Sequence, residues 1–294
     1  MARILIAGCG YVGTAVAERL VAGGHEVWGL RRNPGKLPSG IHPVAADLTD
    51  PETLRSLPEG LDCVCYTAAA DGFTDEAYRA AYVDGLRILL DALQSRRRQP
   101  RRIVFTSSTV VYAQLAGEWV DETSPTAPVH FAGTRMLEAE GLVRHAPFAA
   151  TVLRLGGVYG PGRGGLIDRV RRGEAACTDG PPRYSNRIHR DDCTGALEHV
   201  LTAPRPDELY LGVDHEPAEE CAVLRWVAAQ LGVPPPRVAS APGGGPRGHR
   251  GPPRPRRRAG NKRCRNAKLV ASGYTFRYPT FREGYAALLA QQGP

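Results

Sequence analysis

Arg3-Ile4-Leu5-Ile6-Ala7-Gly8-Cys9-Gly10-Tyr11-Val12-Gly13 is a short apolar run that ends in G-x-G-x-x-G. The run reads as a buried strand. A helical pattern follows at once, with Val12, Val16, Leu20 and Val21 on one face and Glu18 and Arg19 among the polar positions. Gly23-Gly24 stops that helix, and His25–Leu30 reads as a second strand running into Arg31-Arg32. Gly8 permits a tight turn, Gly10 lets the backbone approach a pyrophosphate, and Gly13 lets the helix pack closely on the strand. The helix N-terminus then faces the phosphates. Alone, the motif says little in a chain with 34 glycines among 294 residues, where a structural turn is the plain alternative. Its strand–helix–strand setting selects dinucleotide binding and assigns Gly8, Gly10, Tyr11, Val12 and Gly13 to it.

The end of the second strand chooses between cofactors. An Asp or Glu there binds the ribose 2′-hydroxyl of NAD and repels a 2′-phosphate, whereas arginine pairs with that phosphate bidentately. Arg31 stands eighteen residues after Gly13, Arg32 follows, and no acid lies between Glu26 and Asp47. NADP is therefore expected over NAD, the alternative being two solvated loop arginines.

The alternation continues. Strands are expected at Val44–Leu48, Cys63–Thr67, Ile103–Thr106 and Thr151–Leu155. A short helix is expected from Pro51 with Asp50 as its cap, a long amphipathic helix over Asp75–Arg97, and another over Leu137–Arg144. This is an α/β pattern, a doubly wound parallel sheet of Rossmann type. Ligands bind beyond the C-terminal strand ends of such sheets. Gly8–Gly13, Arg31, Asp47, Ala68–Ala69–Ala70 and Ser107–Ser108 all fall there. Beyond Gly156 the alternation weakens: helical patches remain at Leu166–Arg172, Cys193–Leu201 and Cys221–Leu231, with a strand at Leu209–Val213. The expected division is a dinucleotide-binding core over 1–156 and a smaller, partly interleaved substrate lobe over 157–294.

The hydrophobic content of 42% fits a globular chain, and no apolar stretch approaches a membrane span. The first strand is too short and glycine-broken for a signal segment. The seven cysteines are scattered and lack C-x-x-C pairs, which favours buried free thiols in a reducing cytoplasm over disulfides or metal ligands. The net charge of +8 is local: from Arg247 to Lys268 there are ten basic residues and no acid. Residues 242–260 are Gly/Pro/Arg-rich and read as a surface loop, with nucleic-acid association the less favoured alternative.

The order of motifs resembles the extended short-chain dehydrogenase/reductases, the nucleotide-sugar epimerase and dehydratase group. Thr106–Tyr112 is similar to that group's S-S-x-x-V-Y segment, Arg154–Gly162 to its R-x-x-N-V-Y-G-P-G, and Ile188–Asp192 to its I-H-V-D-D. The resemblance implies that Asp47-Leu48 lies beside the adenine and that Ser108 binds a substrate oxygen, a serine satisfied in a strand-end turn being the alternative. It also implies a Tyr-x-x-x-Lys pair, in which lysine lowers the tyrosine pKa and tyrosinate moves the substrate proton. The matching region, Pro128–Glu138, places either His130 and Thr134 or Phe131 and Arg135 at those positions, and no lysine occurs between Lys36 and Lys262. Such a combination is similar to the atypical, YeeZ-type branch, as are G-C-G-Y-V-G, Phe131-Ala132-Gly133 and the tail from Asn261.

Among the remaining candidates, His130 has a pKa suited to proton transfer or serves a loop structurally. Arg135 pairs with a ribose or a substrate anion, or faces solvent. Tyr112 and Tyr159 reach the cleft or pack in the core, and Asp191 and Asp192 touch substrate or cap a helix. The expected function is an NADP-binding oxidoreductase or epimerase acting on a hydroxylated small molecule. A non-catalytic NADP(H) sensor is the rival, and a homodimer through the two long helices is expected by analogy.

Overall fold

The structure, a computed structural model, describes residues 1–239 and 260–292. Seven strands form one parallel sheet: β1 (Arg3–Ala7), β2 (Glu26–Arg31), β3 (Ile41–Ala45), β4 (Cys63–Tyr66), β5 (Arg102–Ser108), β6 (Ala149–Leu155) and β7 (Leu209–Gly212). Their spatial order is β7-β6-β5-β4-β1-β2-β3. The order reverses between β1 and β4, which opens a crevice above their C-terminal ends.

The strands are apolar on both faces because helices cover both. Ile4 and Ile6 of β1, Cys65 of β4 and Leu153 of β6 face one side. There they pack on Val16 and Leu20 of α1 (Tyr11–Ala22), and on Leu197 and Val200 of a helix nearer the C-terminus. Leu5, Val64, Ile103 and Phe105 face the other side. They meet Leu86, Leu89 and Leu93 of α3 (Gly85–Gln94), which follows the one-turn α2 (Asp75–Tyr78). Met136, Ala139 and Val143 of α4 (Phe131–Arg144) complete that layer.

After residue 156 the chain adds α5 (Gly165–Arg171) and then returns to the central layers. α6 (Arg190–Thr202) packs Cys193, Ala196, Leu197 and Val200 against α1 and the sheet, and β7 pairs with β6. A separate apolar cluster joins α5 to α7 (Glu220–Leu231) and α9 (Phe281–Gln292), built on Ile167, Val223, Val227 and Phe281. Between them lies α8 (Ala267–Ala271), which places Leu269 in the α1/α6 layer.

Four expectations are corrected. The helix over Asp75–Arg97 ends at Gln94 and is interrupted at Arg79–Asp84 by a π-helical turn. Within that wide turn the carbonyl of Ala81 accepts the Tyr66 hydroxyl at 2.5 Å, a tertiary contact that helical periodicity does not register. The third strand spans Ile41–Ala45 and stops before Asp47, whose carboxylate accepts the Thr49 N–H and folds a turn there. Cys177 and Cys221 form a disulfide, with Cα atoms 5.2 Å apart and 44 residues between them in sequence. They come from a short strand and the start of α7, so no local spacing marks them. The other five cysteines are buried and free. Finally, neither Asp191 nor Asp192 caps α6: that cap is His189, which accepts the Asp191 N–H. Asp192 is buried and ties the C-terminal segment, accepting from the backbone N–H groups of Arg277 and Tyr278 and from the Tyr274 hydroxyl.

No helix among the described residues is long and apolar enough to cross a membrane. The 242–260 loop, apart from Gly260, lies outside the described residues.

Candidate functional site

Two cavities adjoin above the crevice. One, of about 500 Å³, is lined by Gly8, Gly10, Tyr11 and Val12 at one end and by Arg31, Arg32, Asp47 and Leu48 at the other. The second, of about 810 Å³, is lined by Ser108, His130 and Ala70 and by residues from the second half of the chain, Arg183, Asn186 and Lys262 among them. Val12, Thr67, Ala68, Ala69 and Arg163 line both.

The three motif glycines are distinct in kind. Gly8 has φ +90°, and a Cβ there would lie 2.3 Å from the backbone of Ala68. Only glycine permits both that backbone and that approach. A Cβ on Gly13 would lie 2.6 Å from the Gly8 carbonyl oxygen and from Thr67 Oγ1, so its absence seats α1 on the strand ends. Gly13 therefore lies beneath the cavity and lines neither one. A Cβ on Gly10 would meet nothing closer than 3.9 Å. The space beside Gly10 is open to a ligand, and no side chain caps α1 there. First-turn N–H groups without a cap, at the positive end of a helix dipole, bind a pyrophosphate. The residues present fit a dinucleotide.

At the other end of this cavity Arg31 and Arg32 differ. Arg32 makes a bidentate pair with Asp71, at 2.9 and 2.8 Å, and both side chains are exposed. Arg31 has no ion-pair partner among the described residues. Asp47 accepts the backbone N–H of Thr49 at 2.9 Å and its hydroxyl at 2.7 Å, and these bonds hold its carboxyl below the usual carboxylate range. Asp71 supplies the acid that the end of β2 lacks, brought in from the β4 end.

In the larger cavity, Ser108 caps a short 3-10 turn by accepting the Val110 N–H at 3.2 Å, which leaves its hydroxyl hydrogen for another acceptor. His130 caps α4: its Nδ1 accepts the Ala132 N–H at 3.3 Å, so Nε2 carries the proton of the neutral ring. The imidazole stacks on Phe73 with ring centres 5.4 Å apart and leans on Phe131. The α4 face toward the cavity is otherwise Ala132 and Met136. Arg135 lines neither cavity. Its guanidinium pairs with Asp75 at 2.8 Å through two nitrogens and with Glu138 at 2.9 Å through the third.

Tyr112 and Tyr159 are buried rather than presented to the cleft. The Tyr112 hydroxyl donates to the Asp121 carbonyl and accepts from Arg154, whose guanidinium is bidentate to the fully buried Glu140. Ser107 also donates to Glu140, at 2.7 Å. This network fixes the end of β5 and turns Ser108, not Ser107, into the free hydroxyl.

Several charged lining residues escaped the sequence reading, Asp71, Arg163 and Lys262 among them. Asp71 directly follows Ala70, so the strand-end rule that singled out Ala68–Ala70 could have included it. Arg163, whose guanidinium lies 4.0 Å from the Tyr11 ring centre, carries no motif signal. Lys262 enters the cavity from the far end of the chain, in the tail whose likeness to the YeeZ-type branch assigns it no role.

Comparison with known proteins agrees with this geometry. Residues 4–206 match the sequence model of the NAD dependent epimerase/dehydratase family. The chain is 30% identical to protein YeeZ of Escherichia coli (strain K12) over 256 residues, covering 82% of this chain and 88% of that one. It is 29% identical to a 3-diazoavenalumate denitrifying reductase of Streptomyces sp, covering 81% and 84%. A solved Methylobacillus flagellatus structure, assigned to the NAD-dependent epimerase/dehydratase group, superposes with a TM-score of 0.80 at 37% identity over 100% of this chain and 99% of that one. The strand order, the glycine turn and these likenesses coincide: the chain belongs to the NAD dependent epimerase/dehydratase family.

Proposed function

We propose that the chain is an NADP(H)-dependent oxidoreductase or epimerase whose small-molecule substrate occupies the larger cavity. The observation that carries this reading is the shared wall of Val12, Thr67, Ala68 and Ala69, which opens the dinucleotide cavity onto the polar groups of Ser108 and His130. The N-terminus of α1 and the backbone at Gly10 would hold the pyrophosphate, Asp47 and Leu48 the adenosine end, and Arg31 with Arg32 a 2′-phosphate. A bound nicotinamide supplies or accepts hydride.

The protein's own groups do the rest. Ser108 donates its free hydroxyl hydrogen to a substrate oxygen and orients it. His130 presents its Nε2–H, steadied by the aromatic stack, as a hydrogen-bond donor to a substrate oxygen. Apolar Ala132 and Met136 exclude water beside it. The tested consequence is twofold. Calorimetry should show NADP+ binding more tightly than NAD+. NADPH absorbance, followed over a panel of carbonyl compounds, should show turnover that falls in Ser108→Ala and His130→Ala. Equal dinucleotide affinities would refute the NADP assignment. Tight binding with no turnover on any carbonyl would instead favour the redox-sensor reading.

A further inference from the structure

Lys262 is 3% exposed and lines the larger cavity. Its backbone is held firmly. The strand Lys262–Cys264 pairs in parallel with Glu118–Val120. The Asn186 amide clamps the strand from the side, donating to the Lys262 carbonyl at 3.0 Å and accepting the Cys264 N–H at 2.7 Å. Its ammonium, by contrast, has no hydrogen-bond or ion-pair partner among the described residues. Lys268, a few residues on, is paired with Asp207 at 3.6 Å.

The described residues lining the cavity offer Lys262 no free counter-charge. The cavity's other lining cations are Arg163 and Arg183, and Glu220 is the one carboxylate among the described lining residues. Glu220 already faces Arg183, at 3.8 Å. Residues 240–259 contain no Asp or Glu. A buried charge is either paired or pushed toward neutrality. Burial does push the Lys262 ammonium below the ordinary lysine range. A protein keeps such a costly group where a ligand completes it.

We propose that Lys262 is the counter-charge for an anionic oxygen group, carboxylate or phosphate, on the molecule that enters the larger cavity, so that the cleft selects acidic substrates. The proposal rests on the reading of that cavity as the substrate site. It identifies a cation that would fix the substrate in a cavity whose α4 face, Ala132 and Met136, carries none.

The lysines of the chain are Lys36, Lys262 and Lys268, so carbon-13 labelling at the lysine ε position gives a spectrum in which Lys262→Met identifies its own signal. The full-length protein is titrated, in a buffer free of phosphate and carboxylate, with benzoate, phenyl phosphate and neutral benzyl alcohol. The expected result is a saturable shift of the Lys262 signal, and a rise in its titration midpoint, with one or both anions and not with the alcohol. Whichever anion binds more tightly identifies the group. Calorimetry should show Lys262→Met binding that anion about tenfold more weakly, the loss of one charged hydrogen bond, with NADP+ affinity unchanged. Its Tm near neutral pH should rise, because an uncompensated buried charge is removed. Failure of every probe to bind, equal response to the alcohol, or a lower Tm in Lys262→Met would overturn the proposal. Loss of NADP+ binding by the wild type would instead overturn the functional reading beneath it.

Discussion

Replacing Asp71 with alanine should sharpen the preference for NADP. In the structure Asp71 holds Arg32 through two hydrogen bonds, and the Arg32 and Asp71 side chains are 61% and 73% exposed. So exposed a pair contributes about 0.2–1 kcal/mol, whereas a charged hydrogen bond from a guanidinium to a phosphate is worth about 1.5–3 kcal/mol. A 2′-phosphate therefore takes Arg32 from Asp71 at a net gain, but forfeits what the pair was worth. Asp71→Ala removes that forfeit and one repelling carboxylate. NADP+ affinity should rise by up to about fivefold, the equivalent of 1 kcal/mol. NAD+ has no group to take Arg32, and its affinity should not rise. Arg31→Ala removes a cation with no competing partner among the described residues, so NADP+ affinity should fall by about tenfold or more with NAD+ nearly unaffected. Calorimetric titration of the three proteins with both dinucleotides, at low and high salt, reads each effect; added salt should shrink both. Parallel changes in NAD+ and NADP+ affinity, or weaker NADP+ binding by Asp71→Ala, would show that neither arginine meets the 2′-phosphate.

The motif glycines separate binding from stability. Gly10→Ala places its methyl in open space and should keep the wild-type Tm while weakening both dinucleotides. Gly13→Ala forces a methyl to within 2.6 Å of the Gly8 carbonyl and should lower stability by about 1–3 kcal/mol, read by urea unfolding. Burial pushes the Asp214 carboxyl up to about 8, with Arg187 opposing the shift. Unfolded, that group titrates near 4, about where free Asp does. The folded state thus binds the extra proton between those values, and stability falls as pH rises through the window and levels above it. Tm measured from about pH 5 to 9 should show a shallower fall in Asp214→Asn than in the wild type. The Cys177–Cys221 bond closes a 44-residue separation, worth about 4 kcal/mol of chain entropy. A reductant should lower Tm by about 6 °C in the wild type and not in Cys221→Ser, as differential scanning calorimetry will report.

Local chemistry made the dinucleotide half of this protein readable from the chain alone. Gly8, Gly10 and Gly13 act through backbone geometry and contact neighbours within one βαβ unit, so their spacing carries their roles. Continuous apolar runs marked the first strands, which are buried on both sheet faces, and a period-3.6 pattern marked α1, because each kind of burial is written in a short segment of the chain. What the sequence did not reveal depends on residues far apart. Asp71 occupies Arg32 from another strand end, Arg135 turns away to Asp75, and the Ala81 carbonyl widens a helix turn to meet Tyr66. Cys177 finds Cys221 across the lobe. Lys262 reaches the cavity from the chain's far end, where only the fold shows that it is buried, unpaired and facing the same space as Ser108. Backbone conformation and periodic burial are properties of short segments and are legible in order along the chain. Pairing of charges, desolvation and cavity walls are properties of proximity in space, which only the closed tertiary structure sets.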